Sequence, residues 1–251
     1  MSTRVVIPAR LSSSRLPNKV LADLGGEPVI AHVIRAAQAA ALGEVWVVSD
    51  AEEVLAVAQA AGVGSYRSRG DHPSGSDRIH ELAAAKGWAG EDILVNLQGD
   101  EPFMPSGMLR TVAHQLSADP GADWATVGVP LRNLEEWQNP ACVKIVRSLA
   151  GRALYFSRAP IPHPRDAAGQ LPEGALRHIG LYAYRCARLA AWCAREPTPL
   201  ESLEKLEQLR ALELGMQISV AVVDAAPPTG IDTADDLQRA RERVGAATPS
   251  H

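Results

Sequence analysis

Short β-branched runs separated by stretches of helical periodicity constrain this chain more than any other feature. Val5-Val6-Ile7, Val45-Trp46-Val47-Val48 and Asp92 to Leu97 are nearly continuous apolar runs, the pattern of strands covered on both faces. Between them lie helix signals. Residues 28–42 read as one helix with Pro28 near its first position, and a second runs from an Asp50 cap to about Ala61. A third covers Ile79 to Lys86, and a fourth starts at Pro105 ahead of a strand over Trp124 to Val129. Strand, helix, strand at this spacing implies right-handed crossovers and a mostly parallel α/β sheet.

The later half is less regular. Val143 to Val146 and Ala153 to Phe156 read as paired strands, and residues 157–175 as a proline-rich loop. An amphipathic helix is expected over Ser202 to Leu214, a strand over Ile218 to Val223 and a closing helix over Ala234 to Val244. The organisation expected is one domain over residues 1–245 with a disordered tail over 246–251.

A net charge of −4 over 251 residues and a pI near 6.0 argue against nucleic acid as the main partner. No run of 18 apolar residues offers a membrane span, and no secretory signal is visible. Cys142, Cys186 and Cys193 form no C-x-x-C pair, which argues against a disulfide framework or zinc site and for a reducing cytoplasm. Cys142 reads as core.

Chemistry is concentrated in the loops that follow strands. The first strand empties into a loop bearing Arg10, Arg15 and Lys19, three cations where open α/β sheets collect ligands. Backbone N–H groups from Ala9 to Ser14 add donors for phosphate oxygens or a base edge. Neither a P-loop nor a G-x-G-x-x-G fingerprint is present, and the stretch reads alternatively as a strand followed by a solvated basic loop. Gln98-Gly99-Asp100-Glu101-Pro102 follows the Leu97 strand and puts a carboxylate at the same kind of strand end. A second acid, Asp232, lies in Thr229-Gly230-Ile231-Asp232-Thr233, where Thr233 is a candidate helix cap. Asp100 and Asp232 suit a Mg²⁺ shared with a nucleotide's phosphates, because Mg²⁺ takes one or two carboxylates plus phosphate oxygens and water. Each acid taken alone reads equally well as a turn or helix-start residue.

Taken together, these blocks resemble a known family. Ile7-Pro8-Ala9-Arg10 through Lys19, Asp71-His72-Pro73-Ser74-Gly75-Ser76-Asp77-Arg78 and Asn96-Leu97-Gln98-Gly99-Asp100-Glu101-Pro102 closely resemble 3-deoxy-manno-octulosonate (Kdo) cytidylyltransferases. The likeness continues through Ala153 to Arg158, Arg177-His178-Ile179-Gly180-Leu181-Tyr182, Leu203 to Arg210 and Gly230 to Thr233. It implies a three-layer αβα nucleotide-diphospho-sugar-transferase (Rossmann-like) fold with a small antiparallel dimerisation subregion near residues 130–200. The implied reaction makes CMP-Kdo and pyrophosphate from CTP and Kdo, with Mg²⁺, for lipopolysaccharide assembly. Three departures stand out: Asn18 where the family often has Gly, Val20 where Pro is frequent, and Asp77 where Glu is common. Asn is the residue best able to replace Gly at positive φ.

The resemblance implies roles for individual residues. Arg10, Arg15 and Lys19 hold the triphosphate, and Asp100 and Asp232 hold Mg²⁺. The Ala9 backbone, Ser74, Gly75 and Gln98 lie near base and ribose. Arg78 and Arg165 are candidates for the sugar carboxylate, while His178, Tyr182, Glu207 and Gln208 match sugar-lining positions. Glu207 and Gln208 are adjacent on a helix, so both cannot face inward squarely. Ser74 reads alternatively as a helix cap and His178 as a core histidine. Two other functions compete: a nucleotidyltransferase of the same fold acting on sialate, an amino-Kdo analogue or a polyol phosphate, and a non-catalytic nucleotide-sugar sensor. Both acids being present disfavours the sensor. A homodimer is expected, with Trp137, Tyr184 and Trp192 read as interface aromatics or, alternatively, as the core of a small second cluster.

Overall fold

The computed structural model describes residues 1–13, 15–167 and 169–247, so Ser14 of the first loop and residues 248–251 of the expected tail lie outside the described residues. In chain order the strands and helices are β1 (Thr3–Pro8), β2 (Asp23–Leu24), β3 (Glu27–Pro28), α1 (Val29–Ala39), β4 (Val45–Ser49), α2 (Glu52–Ala60), β5 (Gly64–Arg67), α3 (Gly75–Ala85), β6 (Ile93–Asn96) and α4 (Ser106–Ser117). There follow β7 (Trp124–Pro130), α5 (Leu134–Gln138), β8 (Lys144–Arg147), β9 (Ala153–Ser157), β10 (Leu176–Arg185), α6 (Cys186–Cys193), α7 (Pro199–Glu204), α8 (Gln208–Glu213), β11 (Ile218–Val222) and α9 (Ala234–Ala247). The chain divides into two compact units, Met1–Arg110 with the segment from Pro227 onward, and Thr111–Ala226.

The first unit is built on parallel strands in the order β6-β1-β4-β5. Val5, Val6 and Ile7 at its centre are fully buried, which is why the run is apolar without alternation. The chain moves from β1 to β4 and β5 on one side, then returns to place β6 on the other side of β1. Crossovers therefore leave β1 in opposite directions, and ligands gather at the carboxyl ends beside such a switch point. Helix α1 buries Val29, Ile30, Val33, Ile34 and Ala37, a stripe at helical spacing. The C-terminal segment rejoins this unit. Leu237 and Ala240 of α9 pack with Leu24, Val29 and Ile231, and a side chain at Gly25 (φ 69°) would meet the Val244 Cγ1 at 2.6 Å.

The second unit carries β11 parallel to β7, then β10, β8 and β9 in antiparallel succession. The paired strands expected over 143–156 are β8 and β9, while α5, β10 and α6 went unread. Trp124, Tyr182, Tyr184 and Trp192 form its aromatic core, with Trp124 and Tyr184 centroids 4.7 Å apart and edge-on. Tyr184 and Trp192 are fully buried there, and Trp137 is buried with Leu131, Cys142 and Ala175. These three aromatics are core and not an exposed interface surface, which corrects one basis for the dimer.

Other local expectations also change. Asp50 does not cap α2; Ala51 holds the cap position with no side-chain bond, and Asp50 Oδ1 lies 2.9 Å from Arg78 Nη1. The helix over 202–214 is two short helices, because Lys205 adopts a left-handed φ of 55° and ends α7. Helix α9 continues to Ala247, past the expected end of order at residue 245.

Candidate active site

The loop after β1 is shaped by its own backbone. Asn18 N–H donates to the Leu11 carbonyl at 3.1 Å, closing the loop, and Asn18 sits in the left-handed region at φ 57°. That is the conformation Gly adopts freely and Asn tolerates best, so the departure from the family pattern keeps the geometry. A 3₁₀ turn over Lys19–Leu21 follows, anchored by the buried Val20, and it aims Lys19 into a cleft of about 750 Å³. Ala9, Arg10, Ser12, Ser13, Arg15, Lys19, Gln98, Gly99, Asp100 and Asp232 all line this cleft. Ala9 corrects one expectation: its N–H donates to the Val48 carbonyl at 2.9 Å and is not offered to a ligand.

The two acids expected to act together do converge. Ile231 N–H donates to the Asp100 carbonyl at 2.8 Å, tying the segment before α9 to the turn after β6. Gly230 makes that approach possible, since a Cβ there would lie 2.6 Å from Glu101 Oε1. Thr233 and Asp236 form the reciprocal cap of α9: Asp236 N–H donates to Thr233 Oγ1 at 3.2 Å and Thr233 N–H to Asp236 Oδ2 at 2.8 Å. That frees the Asp232 carboxylate to point elsewhere. Lys19 Nζ donates to Asp100 Oδ2 and, at 2.8 Å, to Asp232 Oδ1, while Arg15 Nη2 lies 3.1 Å from Asp232 Oδ2. Burial opposes the charge of Lys19, but the two carboxylates outweigh it and hold the ammonium above the usual lysine range.

This arrangement tests the fit of a metal. Two carboxylates from different segments share one cation position, at present filled by an ammonium. Among the described residues no group of three or more His, Cys, Asp or Glu could hold a metal by itself. A Mg²⁺ fits such a two-carboxylate site, with phosphate oxygens and water supplying its remaining ligands.

Beside the cleft, Pro8, Ala9, Arg10, Gly75, Arg78 and Gln98 enclose about 90 Å³. Gly75 is needed here, since a Cβ would sit 3.1 Å from Pro8 Cγ and 3.6 Å from Gln98 Nε2. Gln98 Nε2 donates to Asn96 Oδ1 at 3.0 Å, which orients the side-chain amide. Ser74 caps α3: it accepts from Asp77 N–H at 3.3 Å, and Asp77 bonds back to Ser74 N–H at 3.2 Å. Arg78 is buried and donates from Nη1 to Ser68 Oγ at 2.7 Å and the Arg69 carbonyl at 3.2 Å. With Asp50 beside it as well, Arg78 is braced from Nη1 and lines the small cavity. Asp50 and Ser68 were missed, since nothing in local sequence announces partners 28 and 10 residues away.

The remaining candidates belong to the second unit. A register shift in β10 between Ile179 and Tyr182 is satisfied by Thr126, whose hydroxyl donates to the Leu181 carbonyl at 2.9 Å. His178 Nε2 lies 3.0 Å from the Thr126 hydroxyl oxygen. Desolvation between Phe156 and Tyr182 pushes the His178 pKa down to about 3 and raises the Tyr182 phenol well above its usual value. Thr126 was overlooked; a hydroxyl residue inside the otherwise apolar run Trp124-Ala125-Thr126-Val127 was the available signal. Gln208 is buried and Glu207 half-buried at the start of α8. Arg165 is exposed in the loop between β9 and β10. Cys142 is core, its thiol pushed up by burial.

Comparison with known proteins adds an independent line. The cytidylyltransferase family profile matches residues 4–218. The structure of CMP:2-keto-3-deoxy-manno-octonic acid synthetase complexed with CTP is 38% identical, covering 99% of this chain and all of that one, with a TM-score of 0.90. A Leptospira borgpetersenii cytidylyltransferase (16% identity, TM-score 0.64, covering 100% of this chain and 89% of that one) shares the fold. So does a putative Bacillus anthracis glucose-1-phosphate thymidylyltransferase (15% identity, TM-score 0.67, covering 100% and 98%). The chain therefore belongs to the cytidylyltransferase family and, within it, to the CMP-Kdo synthetases.

Proposed function

We propose that the protein transfers the cytidylyl group of CTP to Kdo, releasing pyrophosphate. The observation that carries this reading is the convergence of Arg10, Arg15 and Lys19 with Asp100 and Asp232 on one cleft of the first unit. The anomeric hydroxyl attacks the α-phosphorus in line. An oxygen–phosphorus bond forms, the bond from the α-phosphorus to the bridging oxygen breaks and pyrophosphate takes its electron pair, and the hydroxyl proton passes to solvent. Charge develops on the phosphoryl oxygens and the departing pyrophosphate, where the three cations stabilise it. Mg²⁺, held by Asp100 and Asp232 when bound, adds charge neutralisation at the phosphates.

The cavity beside Gly75 suits the base. One Gln98 Nε2 proton is given to Asn96, which orients the amide, and its side-chain oxygen is the group we assign to accept from the cytosine amino group. We assign Ser74 to bracing this wall through its cap. For the sugar we retain the assignment of His178, Tyr182, Glu207, Gln208 and Arg165. No helix among the described residues is long and apolar enough to cross a membrane, and cytoplasmic action on a soluble nucleotide accords with that.

We also read the enzyme as one functional domain and a homodimer. In place of the buried aromatics, the support is Leu149, Leu154 and Leu203 of the second unit, 110%, 60% and 80% exposed. Pyrophosphate release with CTP, UTP and ATP against Kdo, amino-Kdo, sialate and polyol phosphates tests the reading. Release with CTP and Kdo alone, or best, supports it; preference for sialate or a polyol phosphate overturns it.

A further inference from the structure

The two acids assigned to the metal already hold a cation, the Lys19 ammonium. Lys19 Nζ donates to both, Arg15 faces Asp232, and the Lys19 side chain is only 13% exposed. Two negative charges are thus balanced by two positive ones. A divalent ion entering alone must displace an ammonium with two charge-assisted bonds and leave Lys19 and Arg15 without anionic partners in the cleft.

A triphosphate changes that balance, because its oxygens supply new partners for both cations. Lys19 can then leave the carboxylates as the ion accompanying the triphosphate takes its place. We propose that Lys19 is a placeholder that bars the cation site until nucleotide arrives, so that metal enters with the triphosphate and not before it. The proposal rests on the reading of Asp100 and Asp232 as metal ligands and adds an order of events to it. Ligand-free closure by Lys19 also keeps two carboxylates from repelling one another across the cleft.

Mn²⁺ binding to the nucleotide-free protein, followed by electron paramagnetic resonance, reads this without turnover. Lys19→Met is expected to bind Mn²⁺ at least ~10-fold more tightly than wild type, a change of the size expected for lost charge-assisted bonds. Adding Asp232→Asn to that variant should abolish the gain. Equal affinity in wild type and Lys19→Met overturns the placeholder role. Arg15→Ala, at a more exposed position, should raise Mn²⁺ affinity by a smaller factor and covers the case in which Lys19→Met does not fold. The underlying metal assignment fails separately, if Asp100→Asn and Asp232→Asn leave Mn²⁺ binding in the presence of CTP unchanged.

Discussion

At the scale of single residues, the cleft divides its cations by depth. Arg15 is 65% exposed and Lys19 only 13%, so they serve differently in the free protein: Lys19 is locked between two acids and Arg15 is poised at the rim. Arg15→Ala should weaken CTP binding roughly 10- to 100-fold, the value of one charge-assisted contact, while Kdo binding barely changes. Calorimetry with each ligand checks this, and unchanged CTP affinity would remove Arg15 from the triphosphate site. His178 gives a stability prediction with a definite sign. Its folded pKa of about 3 lies below the unfolded value near 6.5, so the unfolded chain binds the extra proton in that window. Stability should therefore fall as pH drops from about 6.5 toward 3, by at most ~1.4 kcal/mol per pH unit from this group. Urea melts at pH 7 and 5 should show that slope reduced in His178→Asn. An unchanged slope would show that the desolvation of the half-buried His178 contributes nothing.

At the scale of elements, what could be read in sequence follows the range of the interaction. Strands β1, β4 and β6 were visible because burial on both faces imposes unbroken apolar runs. The positive φ of Asn18 was legible through the family resemblance, because Asn stands there where the family often has Gly. Helices α7 and α8 were read as one because their apolar periodicity runs on across Lys205, and a left-handed lysine leaves no signal of its own. Asp50 was misread for the opposite reason: its cap chemistry is local, but its partner Arg78 is brought in by α3. A non-Gly residue in the left-handed region costs about 1–2 kcal/mol, partly offset for Gly by the unfolded chain's freedom. Lys205→Gly should accordingly raise stability by ~0.5–1 kcal/mol, seen as a higher thermal midpoint with unchanged activity. A lowered midpoint would mean that the Lys205 side chain stabilises the break.

At the scale of the molecule, the function was more legible than its assembly. The motif blocks around Arg10, Gln98 and Asp232 carry chemistry and survive as sequence patterns. An interface carries only shape and apolarity, and there the aromatics misled. Trp137, Tyr184 and Trp192 turned out to fill cores. If the exposed leucines mark the dimer contact instead, Leu154→Asp with Leu203→Asp should give a monomer at micromolar concentration by light scattering, while the single chain stays folded. A wild-type protein that is already monomeric would remove the dimer from the account. The central claim concerns the reaction, and product formation tests it most directly. Phosphorus NMR of the protein with CTP, Kdo and Mg²⁺ should show pyrophosphate and a new phosphodiester resonance in equal amounts. Asp100→Asn, nearly isosteric but uncharged, should lower kcat by at least ~10²-fold while remaining folded. Absence of the phosphodiester with wild type, or near-native turnover by Asp100→Asn in saturating Mg²⁺, would contradict the account.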